Sequence, residues 1–205
     1  MIKKLKQLQG AKLIAVCALI LCLVWLGKNL FAFGYEAVSR ANGSMETFTL
    51  AADDFELVGI IKNDDGSYKS TDWDPQMVLV KDMKVCRITI DGTYKTAPGE
   101  ILVYYTQKDG QGFAAEKRYW FYADENSTST YTAEMPLKNL KSVRIDPTTF
   151  AGNTMEINSI TFNAPKGFVQ FFGLDGSHIF RLMVYSCLAA AVITMLREVF
   201  ETLKK

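Results

Sequence analysis

Two uncharged runs, each closed by a cation at both ends, constrain this chain more than anything else in it. Leu13–Gly27 (LIAVCALILCLVWLG) stands between Lys12 and Lys28, and Leu182–Leu196 (LMVYSCLAAAVITML) between Arg181 and Arg197. Each run is 15 residues long, about 22 Å of helix at ~1.5 Å per residue, against a hydrocarbon core of ~30 Å. Leu30, Phe31 and Phe33 extend the first run, and Ile179, Phe180, Val199 and Phe200 the second. Lys and Arg stems make up the rest by snorkelling. Apolar residues surround the whole circumference of the second run, which favours lipid over a buried amphipathic helix. Ala32-Phe33-Gly34 has the small-x-small form of a signal-peptide cleavage site, but we expect the first run to be retained.

Charge sets the expected topology. Lys3, Lys4, Lys6 and Lys12 precede the first run with no acid among them, so the positive-inside rule puts both termini in the cytoplasm. The expected organisation is a basic tail over 1–12 and a transmembrane helix over 13–33. An extracytoplasmic domain over 34–166 and a Phe-rich juxtamembrane segment over 167–178 follow. A second transmembrane helix over 179–200 and a short cytoplasmic tail over 201–205 complete it. The Phe-rich segment (Phe168, Val169, Phe171, Phe172) is expected in the headgroup zone or under the domain. Small residues recur as Ser186, Ala190 and Thr194 on the second helix and as Ala15, Ala18 and Cys22 on the first. Such faces let helices approach closely, on each other or on a polytopic membrane protein.

Between the anchors the pattern changes to short alternating runs. Lys84–Asp91 is the clearest, with Cys86, Ile88 and Ile90 inward and Arg87 and Thr89 outward. Ser142–Asp146 repeats it through Val143 and Ile145. Met155–Phe162 changes phase between Ile157 and Ile160, which a bulge at Asn158-Ser159 explains. Phe55–Lys62, Met77–Val80, Ile101–Gln107, Lys117–Ala123 and Thr130–Glu134 are further expected strands. Asp65-Gly66, Asp91-Gly92, Pro98-Gly99 and Asp109-Gly110 punctuate them. Seven or eight short strands at this spacing predict an all-β sandwich, jelly-roll-like in topology, flanked by two transmembrane α-helices.

Tyr104-Tyr105, the Gly112-Phe113 turn, Val143-Arg-Ile-Asp-Pro147, Gly152 and Ile157-x-x-Ile160 resemble a bacterial module. Similar jelly rolls, akin to carbohydrate-binding modules, form the extracytoplasmic parts of Gram-positive cell-surface polysaccharide glycosyltransferases and related envelope proteins. The resemblance spans Phe55 to Phe162 and implies a sandwich fold and a glycan setting. This chain departs from the larger members in having two spans and no catalytic membrane domain.

Residue chemistry points away from catalysis. The sole histidine, His178, lies at the membrane edge, and no nucleophile–base pair or phosphate-cradling loop is evident. Between Gly34 and His178 there are 14 basic and 20 acidic residues, a balance of −6, which argues against nucleic acid. Only Cys86 among the four cysteines lies in the middle domain, so no disulfide or CxxC metal site forms there. Asp72-Trp73-Asp74 superficially resembles a DxD motif, with structural Ca²⁺ as an alternative use; Asp53-Asp54 and Asp64-Asp65 are weaker versions. We expect no cofactor.

Aromatics remain. Arg118, Trp120 and Tyr122 share one strand face, and because Arg118 prefers water that face is expected to be exposed. Trp73 and Tyr105 complete the expected ligand surface, since flat rings suit sugar faces and protein contacts alike. The expected function is a non-catalytic, membrane-anchored envelope protein that binds cell-surface glycan or a glycan-handling partner. The alternatives are an accessory part of a polysaccharide glycosyltransferase and a structural subunit docked to another membrane protein.

Overall fold

Alternating runs from the middle of the chain pair into an entirely antiparallel β domain. The computed structural model describes residues 10–124, 127–173 and 176–203; Lys3, Lys4, Lys6, Asn126, Lys204 and Lys205 lie outside the described residues. The chain divides into two units, Ser39–Pro165 and the two flanking segments Met1–Val38 with Lys166–Lys205.

The β unit holds β1 (Phe48–Leu50), β2 (Glu56–Val58), β3 (Ile60–Lys62), β4 (Tyr68–Ser70) and β5 (Gln76–Tyr94). Then come β6 (Leu102–Thr106), β7 (Arg118–Trp120), β8 (Tyr122–Ala123), β9 (Thr130–Asp146) and β10 (Thr154–Phe162). The long strands β5 and β9 run side by side through both layers of the sandwich. Their Gln76–Val80 and Ser142–Asp146 ends join β2, β6 and β7 in one layer. Their other halves join β10, β1, β4, β3 and β8 in the second. One core fills the space between: Met77, Val103, Val143 and Ile145 come from the first layer, and Val85, Ile88, Ile90, Ile160 and Phe162 from the second.

Among the described residues ten strands replace the expected seven or eight, for identifiable reasons. β1 and β4 are three residues each, too short to show alternation. Gly59, at φ +64, breaks Phe55–Lys62 into β2 and β3. Phe121 breaks Lys117–Ala123, so β7 pairs with β6 whereas β8 pairs with β9. Conversely, Met77–Val80 and Lys84–Asp91 prove to be one strand, as do Thr130–Glu134 and Ser142–Asp146. The expected irregularity in β10 is present as a register shift between Ile157 and Ser159.

Another shift, between Val85 and Arg87, overturns the inward placement of Cys86. Val85 takes the core position and Cys86 is half-buried, its Sγ 3.6 Å from Met45 Sδ. Arg87 is buried rather than outward in water, paired with Glu134 at 3.2 Å and donating to the Ala164 carbonyl.

The other unit holds α1 (Ala11–Ala41) as far as Val38, together with α3 (Gly176–Thr202), and both helices are long and apolar enough to cross a membrane. At 31 and 27 residues they extend about 46 and 40 Å at ~1.5 Å per residue. Leu13 and Cys17 of α1 pack on Ala190 of α3. Trp25 meets Phe172, and Phe33 meets Phe168 and Phe171 of the short helix α2 (Phe168–Phe171). Rising residue numbers on α1 therefore meet falling ones after the β domain, so the pair is antiparallel. The Phe-rich segment is thus part of an aromatic cluster with α1.

The residues of the expected small-residue stripe differ in burial. Ser186 and Ala190 are buried at 1% and 6% exposure, as close approach requires. Thr194 is exposed and bonds its own helix at the Ala190 carbonyl, 2.9 Å. At ~3.6 residues per turn, steps of four drift round the helix, so Ile193 takes the next contact position instead. On α1, Ala18 and Cys22 are half-buried, but Ala15, two residues past Leu13, turns to the far side and is exposed. With Cys22, Cys86 and Cys187 replaced by Ala, oxidation of Ala190→Cys in membranes should form an intramolecular cross-link to Cys17. Thr194→Cys should not; equal yields from the two would contradict this packing.

Candidate functional site

The outward face of the β2–β5–β9–β6–β7 layer carries the polar and aromatic side chains that the core leaves behind. Strand register lays them out in rows. Arg118, Tyr104, Arg144, Val78 and Glu56 occupy one row across five strands. One step along, Trp120, Leu102 and Asp146 form the next. In the other direction Thr106, Ser142 and Val80 open into a cleft of about 420 Å³, walled by Lys108–Gln111, Phe113, Lys141 and Asp82.

Cations lie over rings on this face. The Arg118 guanidinium is 5.0 Å from the Trp120 ring centre and that of Arg144 is 5.0 Å from Tyr104, within cation–π range. Arg144 also donates to both Asp146 oxygens, at 2.6 and 2.8 Å, and to Asp74. Burial has the largest effect on the Asp146 carboxyl and pushes it above the usual carboxylate range, with the Arg144 hydrogen bond pulling the other way. Burial opposes the charge of Arg144 too, yet the Asp146 hydrogen bond and the charges of Asp146 and Asp74 hold its pKa above the ordinary value. In the cleft, the hydrogen bond to Asp82 at 2.7 Å raises Lys141.

Asp74 ties the Asp72–Pro75 turn onto the face. Its carboxylate accepts from Arg144 and from Gln76 Nε2 at 2.7 Å. Gly59 holds the turn from the other side: its carbonyl accepts from Thr71 N at 2.8 Å, and a Cβ there would lie 3.0 Å from Asp72 Cβ. Trp73, 72% exposed, projects from this anchored turn. Asp72 is engaged by Trp73 N at 2.6 Å. Asp53 serves Lys62 and Tyr68, Asp54 caps Ala51 N, and Asp65 caps Ser67. Among the described residues no group of three or more His, Cys, Asp or Glu is placed to hold a metal ion.

The structure sorts the sequence-selected residues. Arg118 and Trp120 stay together, Trp120 being 38% exposed. Tyr122 is exposed but belongs to the second layer, opposite Thr132, because the chain changes sheets at Phe121. Tyr105 is not on the surface. It is 5% exposed, stacks on Tyr119 at 5.9 Å and accepts from Lys138 Nζ at 2.8 Å. Its neighbour Tyr104 takes the outward place, since Ile101, Val103 and Tyr105 occupy the inward phase of β6. Tyr104, Arg144 and Asp74 stood in the sequence only within the Tyr104-Tyr105, Val143–Pro147 and Asp72–Asp74 motifs, not as members of the ligand surface; the alternation of Val143 and Ile145 already implied that Arg144 faces outward.

No family model and no curated relative matches the sequence. Solved structures with similar folds include a low-affinity xylan-binding module (CBM86) of Roseburia intestinalis, at 14% identity and a TM-score of 0.39, covering 57% of this chain and 94% of that one. A family 29 carbohydrate-binding module reaches 9% identity and 0.41, covering 64% and 99%. CsCBM6-3 of Clostridium stercorarium, in complex with cellobiose, reaches 10% and 0.34, covering 56% and 92%.

Proposed function

We propose that this chain is a membrane-anchored glycan-binding protein whose antiparallel helix pair spans the bilayer and whose β domain takes a sugar chain on the Trp73–Trp120 face. One observation carries the reading: two exposed tryptophans border a polar sheet face on fixed supports, Trp73 on a turn tied by the Asp74–Arg144 ion pair and Trp120 on strand β7 with the Arg118 guanidinium over its ring. Ring platforms supply apolar stacking area, while Arg118, Arg144, Asp74 and the cleft side chains supply the hydrogen-bonding groups that a polyhydroxylated ligand requires. The basic amino-terminal flank places both termini in the cytoplasm and the β domain outside. The resemblance to polysaccharide-handling envelope proteins suggests a cell-surface glycan as the ligand. Ser186 and Ala190 pack within the chain, so docking on a polytopic partner through that stripe is not part of this reading.

Trp25, Trp73 and Trp120 are the three tryptophans, which makes fluorescence a direct probe. The full chain in nanodiscs, with Trp25→Phe, should change its emission on titration with soluble xylan, glucomannan, cello-oligosaccharides or cell-wall polysaccharide fragments. Trp73→Ala and Trp120→Ala should each weaken the responding glycan by roughly tenfold, about 1.4 kcal/mol. No response to any glycan defeats the proposal.

A further inference from the structure

Phe150, in the turn between β9 and β10, was not among the residues that sequence suggested, yet the structure holds it with unusual care. It is 46% exposed, and single exposed apolar residues are ordinary; its support is not. The Phe150 carbonyl accepts from Ser70 Oγ at 2.7 Å, and its N–H donates to Thr148 Oγ1 at 3.2 Å. Ser70, Thr148 and Asn153 are buried polar residues. Asn153 Nδ2 donates to Thr148 Oγ1 and to the Thr96 carbonyl, both at 3.2 Å, while Thr96 Oγ1 donates to Asn153 Oδ1 at 2.7 Å. A buried network with its members satisfied makes a stiff support.

Gly99 completes it. At φ +73, a Cβ on this residue would lie 2.9 Å from the Phe150 ring and 2.3 Å from Thr149 Oγ1. The ring therefore rests against bare backbone and presents its remaining surface to water. Ser70 also leads directly into the turn bearing Trp73, so the turns that carry the two rings are tied together at Ser70.

We infer that Phe150 is a third sugar-ring platform, binding the apolar face of a further residue in the same glycan chain. Its ordering cost is met on folding, so little is lost on binding. This inference rests on the glycan-binding reading above, and the test separates the two. In the Trp25→Phe background, wild type, Phe150→Ala, Phe150→Leu and Phe150→Trp are titrated with the glycan that wild type binds, and thermal unfolding is followed in parallel. Phe150→Leu keeps apolar bulk on Gly99 but loses the flat ring. Expected are at least fivefold weaker binding for the Ala and Leu variants, Phe150→Leu melting as wild type does, and binding within threefold of wild type for Phe150→Trp. Wild-type affinity in the Leu variant overturns the inference alone. Absence of glycan binding by wild type removes the reading beneath it.

Discussion

Asn163→Ala should lower the stability of the β domain by about 3–5 kcal/mol, a large share of the ~5–15 kcal/mol that a domain of this size possesses. Asn163 is fully buried, at 0% exposure. Its Nδ2 donates to the Glu46 and Lys84 carbonyls at 2.9 and 2.7 Å, and its Oδ1 accepts from Cys86 N at 2.9 Å. Its own carbonyl accepts from Arg40 Nη2 at 2.7 Å and Thr47 Oγ1 at 2.8 Å. One side chain thus ties the first and last segments of the domain to β5 at the bulge beside Cys86. Truncation strands three backbone groups, each costing about 1–3 kcal/mol where water cannot replace the partner.

The backbone adds to this. Asn163 has φ +54 and is the only non-glycine among the described residues with positive φ, a conformation in which Ala is worse than Asn or Gly by about 1 kcal/mol. Asn163→Gly should therefore recover that part and no more. Thermal melts followed by the β-sheet circular dichroism signal decide the matter. A drop above about 10 °C is expected for Ala; a melt within 2 °C of wild type would show that Asn163 does not hold the domain together.

Arg144→Met should cost a similar amount, by a different route. Asp146 is buried, and its only cationic partner among the described residues is Arg144. Removing one member of a buried pair leaves the other charge uncompensated, at about 3–5 kcal/mol. Replacing both, as Arg144→Met with Asp146→Leu, should restore most of that loss, because buried pairs are often no better than well-packed apolar residues.

The pH dependence has a definite sign. Burial already raises Asp146 above its ordinary value, and Arg144 pulls it down. Without Arg144 the folded state holds the proton where the unfolded chain has released it. Stability of Arg144→Met therefore falls as pH rises from the ordinary carboxylate value through the raised folded one. The deficit against wild type should be largest near neutrality and shrink toward acid. A deficit independent of pH between 4 and 7 would exclude an uncompensated Asp146 as the cause. The variant should also bind glycan more weakly, since Arg144 anchors Asp74 and the turn carrying Trp73.

These two residues show how unevenly the site could be read beforehand. Arg144 and Asp146 drew notice as part of a Val-Arg-Ile-Asp-Pro motif, but their role as a buried pair needed the pairing of β9 with β6 and the turn at Asp74. Tyr105 was misassigned because Leu102–Tyr105 is apolar or aromatic in both phases, so alternation alone does not say which tyrosine faces out. Trp120 and Tyr122 share a phase in sequence, but the sheet change at Phe121 sends them to different layers. Phe150 and Asn163 lie in a turn and at a strand end, where no periodicity exists to mark them.

The two apolar helices at the ends and the antiparallel sandwich between them were legible without coordinates. Charge fences, hydrophobic length and two-residue alternation are local, and solvent acts on them directly. Even the bulge in β10 showed itself, because a phase slip between Ile157 and Ile160 is also local. Which rings reach water, and which of them lie on one face, depends on the register of strands tens of residues apart. Two uncharged runs bounded by cations proved to be long antiparallel helices, sealed by Leu13, Cys17 and Ala190. That contact, like the Trp73–Trp120 face, exists only once distant segments have packed.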